Sequence, residues 1–182
     1  MNEKMTFCEE CRKDVIYSIK NISMKGTLKG EEYEFVGNKV TCDECSNEVY
    51  VAEIEDENLK ALYDAYRQKN GIISLEKILE IPQKYNIGKR PLSLLLGWGE
   101  MTFTRYCDGD MPTKQYSDVL QRIYDKPDFH LSLLEENKRN LKSQIAYKKS
   151  KRTTLEVIGV KETVSSKIDE VINYLLVRCE DI

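Results

Sequence analysis

Four cysteines set the tightest limit on how this chain can fold. Cys8 and Cys11 form one CxxC pair and Cys42 and Cys45 a second, with residues 12–41 between them. A CxxC turn aims two sulfurs at one point, and two such turns complete a tetrahedron, which is the ligand pattern of a zinc ribbon. Zinc lowers the pKa of the thiols it binds, so all four would ligate as thiolates. Between the pairs lie the β-formers Val15, Ile16, Tyr17, Ile19, Ile22, Met24, Tyr33, Phe35, Val36 and Val40, punctuated by Gly26, Gly30 and Gly37. Val49 to Ile54 is expected to be the closing strand. A sheet this small buries too little apolar surface to stand alone, so the metal would supply much of its folding energy. A thioredoxin-type redox site would use one CxxC opening a helix, and a disulfide framework belongs to an oxidising compartment. Four thiolates leave no open coordination position, and His130, the only histidine, is distant in sequence. We therefore expect one structural Zn2+ on Cys8, Cys11, Cys42 and Cys45. Cys107 and Cys179 read as packing residues.

The chain has 182 residues, enough for one domain or two small ones. A hydrophobic fraction of 41% beside 32% charged residues argues against disordered and membrane-embedded classes. No apolar run approaches the ~20 residues that span a bilayer. The opening MNEKMTFCEEC lacks the layout of a signal peptide, so a cytoplasmic location is expected. A net charge of −3 argues against indiscriminate coating of nucleic acid. It leaves room for a sequence reader whose docking face is locally basic. Acid collects at Glu53, Glu55, Asp56 and Glu57. Base collects from Lys138 to Arg152, through Lys148, Lys149 and Lys151, as either a solvated helix face or a phosphate-contacting one.

Asn86 to Pro112, NIGKRPLSLLLGWGEMTFTRYCDGDMP, reads as a helix-turn-helix. A short helix from Pro91 to Leu96, with Leu92, Leu95 and Leu96 on one side, runs into Gly97-Trp98-Gly99. A second, from Glu100 to about Cys107, stops at Asp108-Gly109. Pro91 suits a first helical turn, and Gly97 and Gly109 permit left-handed helix exits. Two helices joined by a few glycine-containing residues are how proteins place one helix in a DNA major groove.

Periodicity places further helices around it. One runs from Asp56 to Asn70, with Leu59, Leu62, Tyr63 and Tyr66 inward and Gly71 at its end, and would join two modules. Ser74 caps the next, with Leu75, Ile78, Leu79 and Ile81 apolar and Pro82 interrupting it. Thr113 to Tyr124 turns Tyr116, Val119, Leu120 and Ile123 inward, and Asp128 to Leu134 is a short helix. Lys138 to Tyr147 reads as a polar helix with Leu141 and Ile145 on its thin apolar face. Ser150 to Val164 lacks periodicity and reads as a linker. Ser166 caps a last helix whose stripe, Ile168, Val171, Ile172, Leu175 and Leu176, lacks an evident partner. The expected fold class is α+β: a β-rich zinc ribbon over 1–55, a connecting helix over 56–72 and an all-α repressor-type domain over 73–135. A polar helix and linker over 136–164 and an amphipathic helix over 165–182 complete it.

A ribbon with two CxxC pairs followed by Leu95-Leu96-Gly97-Trp98-Gly99-Glu100 and Thr104-Arg105-Tyr106 resembles the MqsA-type antitoxin family over residues 5–135. Lys167 to Leu176 resembles the opening helix of a SocA-like, or Panacea, domain. Docking or dimerisation of that helix is the competing reading. The resemblance implies a transcription regulator of a type II toxin–antitoxin locus, or a phage-borne relative. Such a protein binds operator DNA as a homodimer and represses its own operon, with a protein toxin as a second partner.

Exposed side chains near the start of a second helix reach base edges. Here they are Glu100, Met101, Thr102, Thr104 and Arg105, with Phe103 facing the core and Trp98 packed nearby. Arg105 can bond guanine O6 and N7 together, or contact phosphate, or pair with an acid such as Asp108. Met101 stands where the family often carries a polar residue and offers only apolar contact. Lys89 and Arg90 are expected on phosphate. No nucleophile–base arrangement, P-loop or buried carboxylate pair suggests an enzyme. The rival reading is an adaptor that binds a toxin or phage partner without significant DNA binding.

Overall fold

A computed structural model describes residues 4–159, so the expectations for Ser166, Cys179 and the stripe from Ile168 to Leu176 lie outside the described residues. The architecture is α+β: among the described residues, a three-stranded antiparallel sheet is followed by seven α-helices. Two compact units meet between Ile72 and Ile73. No helix among the described residues is long and apolar enough to cross a membrane.

In the first unit, β1 (Met5–Cys8), β2 (Lys13–Leu28) and β3 (Glu31–Cys42) lie in the order β1-β2-β3. Lys29 and Gly30, both at positive φ (53° and 85°), close the long β2–β3 hairpin with a two-residue turn whose twist matches the strands. That hairpin buries opposite faces at its two ends. Near the cysteines Val15, Val40 and Cys42 are buried; farther along, Tyr33 and Gly37 are, and their register puts them on the other face. Helix α1 (Ala52–Lys69) serves both faces. Ile54 joins Val15 and Val40, while Tyr66 meets Tyr33 with ring centroids 5.4 Å apart.

The crossing point lies at the free edge of β3. There the buried Asn58 amide accepts the Asn38 N–H (2.7 Å) and donates to the Asn38 carbonyl (2.9 Å), supplying the pairing a neighbouring strand would give. Gly37 lets the helix come this close. A Cβ there would fall 2.8 Å from Asn58 Oδ1 and 2.5 Å from Met24 Sδ.

α1 begins at Ala52 instead of Asp56, and it belongs to the unit that ends at Ile72. The strand expected over Val49 to Ile54 is reduced to a single bridge, Thr41 to Glu48. Val49 and Val51 alternate like a strand because both enter the core, but Glu53 and Glu55 then fill an acid-favouring first helical turn. Leu59 and Tyr63, expected inward, are exposed, since the buried face runs through Ile54, Asn58 and Arg67.

The second unit contains α2 (Leu75–Lys84), α3 (Lys89–Leu95), α4 (Thr102–Cys107), α5 (Lys114–Asp125) and α6 (Pro127–Glu136). A 3-10 turn (Lys138–Asn140) and α7 (144–159) follow. Ile78, Ile81, Tyr85, Leu92, Leu95, Phe103, Leu120, Ile123 and Leu134 are fully buried in one cluster, each worth about 1.5–3 kcal/mol of apolar transfer. Ser74 and Thr113 cap α2 and α5, accepting the N–H groups of Lys77 and Tyr116. Pro82 lies inside α2 without ending it, and its carbonyl accepts the Ile87 N–H.

Of the linker expected over 150–164, residues 150–159 are helical, and 160–164 lie outside the described residues. Its buried residues, Ser150 and Thr154, are polar, so apolar periodicity could not reveal it. The Thr154 hydroxyl donates to the Ser150 carbonyl and meets His130 Nδ1 at 2.9 Å. The polar helix expected from Lys138 is broken where Leu141 turns inward in an extended conformation.

Candidate metal centre and helical face

The four cysteine sulfurs of the two CxxC turns come together. All lie within 4.8 Å of one another, with Cys8 to Cys45 at 3.6 Å and Cys11 to Cys42 at 3.9 Å. Four thiolates at about 2.3 Å from a tetrahedral ion sit about 3.8 Å apart, close to the two separations above, so the cluster could hold a metal. The two turns share one construction. The N–H of the residue after each pair bonds the carbonyl of the pair's first cysteine: Arg12 to Cys8 (2.8 Å) and Ser46 to Cys42 (2.9 Å). Both closing residues take positive φ, 52° and 64°. Cys42 Sγ also accepts N–H groups from Glu44 (3.4 Å) and Cys45 (3.5 Å), which stabilise the thiolate. The Cys45 N–H is the largest influence, and the Cys42 pKa falls to about 7. Hydrogen bonding to Cys45, then burial, pushes the Cys11 thiol up to about 12. Crowded thiols resist joint ionisation, and a bound cation supplies the positive charge that allows it. Arg12 and Ser46 have no signature in the sequence beyond their place after each pair.

In the second unit, α3 and α4 pack against each other across a turn. Both helices end in the same way. After α3, the Trp98 N–H bonds the Ser93 carbonyl and the Gly97 N–H bonds that of Leu94, with Gly97 at φ 71°. After α4, Asp110 and Gly109 do the same to Arg105 and Tyr106, with Gly109 at φ 110°. These are Schellman exits, which need a left-handed residue in the position each glycine holds. The buried Ser93 hydroxyl accepts the Phe103 N–H at 2.9 Å and so fixes where α4 begins. Trp98 packs on Tyr116 and Tyr106, with centroids 4.5 and 6.1 Å away.

The helix bounds differ from expectation. α3 starts two residues ahead of Pro91, and α4 starts at Thr102, which leaves Glu100 and Met101 in the preceding turn. Phe103 is fully buried, as expected. Of the residues expected to face DNA, Met101 and Arg105 are exposed, and Thr102 and Thr104 are half-buried on the outer side of α4. Arg105 Nε lies 4.0 Å from Asp110, not Asp108; Asp108 instead lies 3.8 Å from Lys89. Glu100 is bound by Arg90 and by Lys142 Nζ (2.7 Å), which hold its carboxyl below the usual range, Lys142 foremost. Ser93 was not legible in this role, and Lys142 only as one member of the basic run from Lys138 to Arg152. A serine amid leucines and a lysine in a basic run carry no distinguishing pattern.

The chain matches no family model and no curated protein.

Proposed function

We propose that this protein is a sequence-specific DNA-binding repressor whose α3–turn–α4 is a helix-turn-helix and whose cysteine cluster holds one structural Zn2+. The observation that carries this reading is α4's attachment. Its inner side is anchored by Phe103 and the Ser93 bond, while Met101, Thr102, Thr104 and Arg105 are left outward beside the cations Lys89 and Arg90. A helix held rigidly on one side and lined with hydrogen-bonding groups on the other suits base reading in a major groove. Lys89 and Arg90 would meet phosphate, and Glu100 lies on the same face. The metal's role is confined to folding, since four thiolates leave no position for a substrate.

The homodimer, a cytoplasmic location and the antitoxin role belong to the same proposal. A toxin or other protein partner is favoured by a separate observation: Met5 and Phe7 on β1 and Ile16 on β2 share one sheet face and are all exposed. A partner that covered these three side chains would remove their apolar surface from water.

Selection from a library of randomised duplexes tests the reading. The expected result is an enriched motif with two half-sites about one helical turn apart. Recovery of no motif, with equal affinity for all duplexes, contradicts it. Arg105→Ala is expected to cost about 1–3 kcal/mol on the enriched duplex and to relax preference at one base position.

A further inference from the structure

The turn before α4 holds one carboxylate between two cations that come from different elements. Arg90 reaches Glu100 from the first turn of α3, and Lys142 reaches it from the strap that follows the 3-10 turn. The strap has a fixed position. Leu141, only 6% exposed, inserts into the helical core directly before Lys142, so the lysine leaves the surface at a defined point. Its side chain is 74% exposed and that of Arg90 is 62% exposed. Exposed ion pairs of this kind are weak and exchangeable. A phosphate oxygen arriving from solvent can therefore take either cation from the carboxylate, and releases its own counterions as it does.

We propose that Lys142 is a further phosphate ligand of the DNA face, contributed from outside the helix-turn-helix, and that Glu100 competes with DNA phosphate for Lys142 and Arg90. This rests on the reading of α3 and α4 as a DNA-binding element. It gives Glu100 a role other than base reading. With each oxygen already bound by a cation, Glu100 lowers the positive potential the face offers to any duplex. Affinity then depends more on the contacts of Met101, Thr102, Thr104 and Arg105, which only the correct sequence rewards.

The test is a salt titration of the full chain on two fluorescent duplexes, the enriched one and a scrambled one of equal length. The variants are Lys142→Ala, Glu100→Gln and, as a control, Lys25→Ala, which removes an exposed cation from the sheet. Far-UV circular dichroism confirms that each is folded. Lys142→Ala is expected to weaken both duplexes by similar factors, about tenfold at low salt, and to make the slope of log K against log salt shallower by about 1 for each protomer bound. Glu100→Gln is expected to tighten both duplexes several-fold with a steeper slope, and Lys25→Ala to leave both unchanged. A Lys142→Ala titration that superimposes on the Lys25→Ala control overturns the phosphate role. A Glu100→Gln variant that loses affinity for the enriched duplex alone makes Glu100 a base reader and overturns the competition. If the wild type shows no salt-dependent binding to either duplex, the DNA reading itself fails and this inference falls with it. That result is separable from the others, in which wild-type binding is intact.

Discussion

The two units use different means to stay folded. The sheet unit assembles Val15, Val40, Val49, Val51 and Ile54 around four cysteines, and two of those cysteines, Cys8 and Cys42, are themselves part of the buried cluster. The helical unit has a continuous core of large side chains, several of them at 0% exposure, with helix caps and Schellman exits at its element ends. A long hairpin crossed by one helix buries little, and a metal can replace missing core there. The helices α2 to α6 bury one another's apolar sides in a continuous core, with Leu141 and Tyr147 packed against it. In the proposed reading the contrast separates stability from recognition: a metal on the cluster would stabilise a sheet with exposed apolar residues, while the helical core holds α4 rigid from behind.

The sharpest way to break that contrast is to remove a ligand. If the cluster holds the proposed zinc, Cys42→Ser is expected to abolish metal retention and unfold the sheet unit, because a structural zinc contributes on the order of 10 kcal/mol of apparent binding free energy. Amide exchange should then rise across 5–42, while fluorescence of Trp98 in the helical unit stays native. Equal loss in both units would erase the distinction. The converse is Phe103→Ala, expected to cost about 3–5 kcal/mol in the helical unit alone, read from a denaturant midpoint followed at Trp98.

Acid separates the units by a different route. His130 is fully enclosed and stacked 4.0 Å from Tyr85. Because the Thr154 hydroxyl donates to the Ser150 carbonyl, its oxygen accepts from Nδ1, and the buried Nε2 has no partner among the described residues. Burial lowers the His130 pKa from 6.5 to about 4. The unfolded chain takes up a proton near pH 6.5 that the native state refuses until about pH 4. Helical stability should therefore fall as pH drops through this window, by about 3 kcal/mol, and level off below it. Denaturation at Trp98 between pH 7 and 4 measures this, and a His130→Gln variant should flatten the decline. A smaller effect sharpens the contrast from the sheet side. Asn58→Ala leaves the Asn38 N–H and carbonyl without their partner at a half-buried edge and should cost about 1–2 kcal/mol, measured as a lower melting temperature of the sheet unit.

How much of this was legible follows the kind of signal each region carries. The cysteine cluster could be read completely, because spacing alone constrains four sulfurs. Gly97, Gly109 and Ser74 were legible because a left-handed exit or a side-chain cap admits few residue types. The course of α1 was not, since its contact with the sheet runs through Asn58 and Gly37, a polar residue and a glycine that no hydrophobic period marks. α7 was hidden for the same reason, its buried face being Ser150 and Thr154. On the helical face, sequence placed Arg105 and Met101 outward correctly. It gave Lys142 only as one member of the basic run from Lys138 to Arg152, because its position beside Glu100 depends on Leu141 interrupting what looked like one polar helix.

Amide hydrogen exchange on the full chain, with and without excess enriched duplex, tests the division of labour most directly. The account predicts new protection in 89–105 and around Lys142, with residues 5–42 unchanged. Protection confined to the sheet, or none in the helical unit at saturating duplex, would contradict it.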